Sequence, residues 1–115
     1  MAAVRPYTSR SMANSRLETL QQMTDQDPKG GFARYGLAME LVRGGDLAGA
    51  VEQFNALLLH NPDYAAGYFH GGQTFEKLGR IDEARSLYVA GIGVTTRTGD
   101  GHTRSELQTA LDILG

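Results

Sequence analysis

The sequence predicts an all-α domain, an α-solenoid of antiparallel helix pairs, and three observations predict it. The chain nearly repeats itself after 34 residues, a fixed period in the range that marks stacked supersecondary units. Apolar residues recur within each period at i, i+3, i+4 and i+7, the spacing of one helix face. Matching turn signals, Asp27-Pro28 with Asn61-Pro62 and Gly44-Gly45 with Leu78-Gly79, punctuate those stripes.

Taken in order, residues 1–14 read as a flexible, solvated tail. Met1 to Leu17 contain Arg5, Arg10 and Arg16 and no acid, so an organelle leader is the alternative reading. Ordered structure is expected from Ser15, which stands at capping-box spacing from Glu18. Leu17, Leu20 and Met23 then line one side of a short helix over 15–26 that stops before Asp27-Pro28.

The first full unit is expected over 31–64. Arg34, Leu37, Ala38 and Leu41 share a face, Gly44-Gly45 ends that helix, and Asp46 can cap the next. Ala50, Val51, Phe54, Leu57 and Leu58 give the second helix its apolar stripe as far as His60. The second unit, over 65–98, repeats this with Tyr68, Gly71, Gly72 and Phe75, then Ala84, Leu87, Tyr88 and Gly91. Its closing run, Gly91-Ile92-Gly93-Val94-Thr95-Thr96, is poor helix material. A capping helix over 103–114 should start at Thr103, three residues before Glu106. Leu107, Ala110, Leu111 and Leu114 supply its buried face.

Composition bounds the function. With 115 residues there is room for one modest domain, and 41% hydrophobic with 21% charged residues describes a folded one. A net charge of −2 gives no whole-chain attraction to nucleic acid or to an anionic membrane. The absence of cysteine excludes disulfides and thiolate metal sites. No apolar run is long enough to span a bilayer, and a cytoplasmic location is expected. Glycine is abundant, 15 of 115 residues. Inside a helix each glycine costs about 0.5–1 kcal/mol against alanine, so close helix–helix approach must offset that cost.

The register of these residues resembles the tetratricopeptide repeat, with large residues on both helices and small ones where the pair cross. In the first unit Leu37, Ala38, Leu41, Ala50, Phe54 and Pro62 match the signature, while Arg34 stands where an aromatic is common and Leu57 where a small residue is. In the second unit Tyr68, Gly72, Phe75, Ala84, Tyr88 and Gly91 match, with Gly71 in place of leucine and Thr96 in place of proline. The chain is similar to small stand-alone bacterial members with two repeats between flanking helices. That resemblance implies a short right-handed superhelix whose concave wall binds protein partners.

The stripe beside the core stripe is then the candidate groove. It comprises Phe32, Tyr35, Met39 and Val42 in the first unit, and Phe69, Gln73 and Glu76 in the second, with Arg43 and Lys77 at the rims. Exposed aromatics and methionine with a few polar groups are the composition of an interaction surface. The competing assignment covers Phe32 and Tyr35 with the amino-terminal helix. Some relatives hold a carboxyl terminus with lysine, asparagine and arginine; Tyr35, Met39, Phe69 and Gln73 offer no such cationic clamp.

An enzyme is not expected. His60, His70 and His102 form no ligand-spaced set, and the serines lack an evident base and orienting acid. Gly99-Asp100-Gly101-His102-Thr103 reads as a plain turn, since neither a phosphate-loop lysine nor a strand accompanies it. The expectation is a non-catalytic adaptor or scaffold without cofactor or metal, which binds a peptide or helical segment and works as a monomer. The alternative is a self-associating subunit that pairs through Leu107, Leu111 and Ile113, or through Leu17 and Leu20.

Overall fold

In the computed structural model, which describes the backbone of residues 8–115 and the side chains of residues 15–115, six helices follow one another: α1 Thr8–Gln26, α2 Phe32–Arg43, α3 Leu47–His60, α4 Ala65–Lys77, α5 Ile81–Thr98 and α6 Gly101–Leu114. Each helix packs on the next, and α4 also touches α6. The array is elongated, 57 × 30 × 20 Å, with a radius of gyration of 15.9 Å. A compact globule of this length would have about 13 Å.

The repetition in the sequence is a repetition of backbone. Gly45 (φ +88°) and Gly79 (φ +76°) both occupy the left-handed region, where an L side chain is strained. Around them the hydrogen bonds recur at the same step. The amide of Asp46 donates to the Leu41 carbonyl at 2.9 Å, and that of Arg80 to Phe75 at 2.9 Å. Side chains then tie one turn to another. Asn61 donates its amide to the Lys29 carbonyl at 2.9 Å, and the Arg97 guanidinium pairs with Asp63. Arg34, where an aromatic was the familiar residue, reaches Gln53 at 2.7 Å and the Pro28 carbonyl at 2.9 Å.

Two core clusters run along the array, the second drawing Val51 from the first unit and Leu107 from α6. Ala38, Ala50, Phe54 and Leu57 form the first; Val51, Tyr68, Phe75, Ala84, Tyr88 and Leu107 form the second. Helix glycines sit where these layers press closest. A Cβ on Gly72 would lie 2.3 Å from the Tyr88 ring, and one on Gly91 would lie 2.6 Å from Tyr68. The expected compensation for helical glycine is therefore present as ring-to-backbone packing.

Four expectations need correction. Helix α1 already runs from Thr8, so Ser15 lies within it rather than at its start; the part of the expected tail over residues 1–7 lies outside the described residues. Helix α6 begins at Gly101, because the Asp100 carboxylate accepts from the Thr103 amide at 3.1 Å and caps it one turn before the expected position. The run from Gly91 continues α5 unbroken to Thr98. Buried Thr95 and exposed Thr96 return their hydroxyls to the Gly91 and Ile92 carbonyls at 2.8 and 2.7 Å. Leu107 is fully buried beside Gly91, which removes it from any exposed pairing surface.

Candidate functional site

Helices α2, α4 and α6 carry one continuous face. Tyr35 of α2 meets His70 of α4, with ring centroids 5.9 Å apart, and Phe69 and Gln73 of α4 face α6 across an open cleft of about 370 Å³. Phe69, Ala110 and Ile113 line the cleft together with the polar Gln73, His102 and Glu106. Ile113 is 80% exposed. A large apolar side chain left open next to a concavity is how a recognition surface differs from ordinary polar covering.

The structure does not bring all the expected groove residues together. Phe69 and Gln73 lie on this face, Phe69 half-buried against the second core cluster and Gln73 exposed; Met39 is half-buried against the first cluster and lines a separate cleft with Leu20 of α1 and Arg43. Tyr35 is half-buried and packed on Phe54, Tyr64 and His70, so it supports the wall as well as lining it. Burial, and then the neighbouring Tyr64, raise its phenol above the ordinary value. Val42 is likewise half-buried against the first cluster.

Glu76 is committed elsewhere. It is half-buried and accepts a hydrogen bond from the fully buried Tyr88. Burial first, then that bond to Glu76, push the Tyr88 phenol well above its usual range. Arg43 and Lys77 are exposed at helix ends, and Arg43 stands 3.6 Å from Glu40. Phe32 is not covered by α1. It is 78% exposed and lines a second cleft with Met23, Gln26 and Gly30.

The α6 contribution is what sequence reasoning missed. His102, Glu106, Thr109 and Ile113 recur at i, i+4, i+7 and i+11, one helical face that includes an unpartnered apolar residue. The sequence offers this helix as a cap, or as a pairing surface through Leu107, Leu111 and Ile113, and not as part of the groove.

His70 sits between the two halves of the face. Burial holds its imidazole below the ordinary 6.5, while Glu106 and Gln73 pull upward and Lys77 downward. A histidine with a depressed native pKa takes up its proton more readily when unfolded. Its contribution is therefore complete above about pH 6.5 and shrinks as the pH falls toward the native pKa. Thermal melts should show the melting temperature declining with acidification through that window, and His70→Gln should flatten the slope. A melting temperature that climbs on acidification would reverse the sign argued here.

Helix pairs stacked at a constant step, with a wall left uncovered, define an α-helical repeat protein. The chain belongs to the tetratricopeptide repeat family. It is 36% identical to a tetratricopeptide repeat domain protein from Salinibacter ruber, whose solution structure it matches with a TM-score of 0.72 over 76% of this chain and 89% of that one. It is also 37% identical over 67 residues, 58% of its length, to tetratricopeptide repeat protein 8 of Caenorhabditis elegans, of which it spans 13%. The fold extends to PcrH, solved in complex with the chaperone binding region of PopD: TM-score 0.82 at 14% identity, over 92% of this chain and 80% of that one. No family model matches the chain. Among the described residues, no helix is long and apolar enough to cross a membrane.

Proposed function

We propose that this chain is a non-catalytic, monomeric adaptor of the cytoplasm that holds a peptide or helical segment of a partner protein against α2, α4 and α6. The observation that carries the reading is the unbroken face from Tyr35 through Phe69 to Ile113, with a side-chain-sized cleft at its carboxyl-terminal end. Grooves of this make-up take segments through spaced apolar anchors. The seating of a PopD region on PcrH supports the same use of a like-shaped chain.

Peptides selected from a random display library on the immobilised chain test this. Their affinity should fall about tenfold or more with Ile113→Lys or Gln73→Lys, the loss typical of a disrupted anchor. Val89→Lys, on α5 and exposed, should leave it unchanged. Selected peptides insensitive to both groove variants would place binding elsewhere and overturn the reading.

A further inference from the structure

We infer that the cleft between α4 and α6 selects an apolar side chain that carries or adjoins a positive charge, the cation meeting Glu106. This rests on the groove reading and adds the chemistry of the segment it takes. At about 370 Å³ the cleft lies at the small end of ligand sites, which run from roughly 300 to 1,000 Å³. That suits an anchor side chain and its neighbour rather than a bulky cofactor.

Charge sets the preference. Glu106 is the only carboxylate among the lining residues, and none of them is lysine or arginine. Its side chain is half-exposed, and its ion-pair partner is His102 Nε2 at 3.6 Å, an attraction that requires a protonated imidazole. The carboxylate thus stands at the edge of a largely apolar hollow whose lining holds no lysine or arginine. Low-dielectric walls strengthen a charge beyond what it exerts on open surface.

The lysine and arginine nearest the lining residues in sequence, Lys77 of α4 and Arg104 of α6, both lie outside the lining. On α4, Gln73 is neutral and burial disfavours the charged form of His70; Lys77 lies one turn past Gln73, outside the lining. Other carboxylates that approach cations are already matched: Asp63 with Arg97, Glu83 with Arg80, Asp82 with Arg85. Glu106 differs from them in lining the apolar cleft.

Three small probes with the same ring and a similar arm separate the effects: phenethylamine, phenylacetate and phenethyl alcohol. Each is titrated into the isotope-labelled full chain at neutral pH, and amide shifts are followed along α4 and α6. All three should move amides around Phe69 and Ala110–Ile113. The amine should bind about two- to fivefold more tightly than the acid, the range a half-exposed ion pair supports. Glu106→Gln should erase that difference and Glu106→Lys should invert it, with the unperturbed spectra of both variants reporting that the fold is intact.

Equal binding of amine and acid, or a preference for the acid, would overturn the inference while leaving the groove reading standing. Failure of every probe to shift cleft amides up to its solubility limit would overturn it as well. The groove reading fails separately, through the peptide selection.

Discussion

Replacing Tyr88 with alanine should cost about 3–5 kcal/mol, the usual toll for deleting a fully buried aromatic ring. Tyr88 has no exposed surface. Its ring fills the space over Gly72, and its hydroxyl is the donor to the half-buried Glu76 carboxylate. The alanine variant therefore leaves both a cavity and an acid without its donor. Tyr88→Phe isolates the second effect and should cost about 1–3 kcal/mol, the penalty for an unsatisfied buried polar group. Urea denaturation checks both. A Tyr88→Ala loss no larger than that of Tyr88→Phe would show that the ring contributes little.

Gly72→Ala should be the other severe change, although alanine is the better helix former. Built on Gly72, a Cβ would stand 2.3 Å from one Tyr88 ring carbon and 2.8 Å from two others. The obstacle is the body of a buried ring rather than a flexible tip, so the helices must part. Overpacking of this kind costs about 1–3 kcal/mol, and occasionally more, which exceeds the roughly 0.5–1 kcal/mol gained from helix propensity.

Combining the two changes gives a sharper reading, because the cavity left by Tyr88→Ala has room for the added methyl. In that background Gly72→Ala should be neutral or stabilising, so the double mutant is more stable than the sum of its parts. Strict additivity in a denaturation cycle would mean that the two residues do not press on each other.

The fold was legible because its grammar is local. A step of 34 residues placed Gly45 and Gly79 at left-handed turns, and the core residues followed from one helical stripe per element. Ends were less legible. Ser15 and Thr103 both show capping-box spacing, yet α1 is already helical before the first, and Asp100 pre-empts the second. Gly91 to Thr96 looked unfit for helix because propensity counts only the residue itself. The helix is held there by Tyr68 and Leu107 packed on Gly91 and by the burial of Thr95, whose hydroxyl finds its partner in the backbone.

On the candidate site, spacing identified Phe69 and Gln73. It could not show that Glu76 belongs to Tyr88, since the two are 12 residues apart and on different helices. Nor did it join α6 to the face, because a helix with polar flanks reads as an end cap until a neighbour is seen across from it. Ile113 was the available signal: an apolar residue off the buried stripe that already needed a reason.

Helix α4 keeps Gly67, Gly71 and Gly72 in its buried face, which makes it a poor helix when alone. Its shape is lent to it by Leu57 and Leu58 on one side and by Leu87 and Tyr88 on the other. Such a segment is a poor seed for folding, and its helix depends on the flanks that pack on it. The middle of this array is then its keystone, and the two units are expected to unfold in one transition rather than one by one.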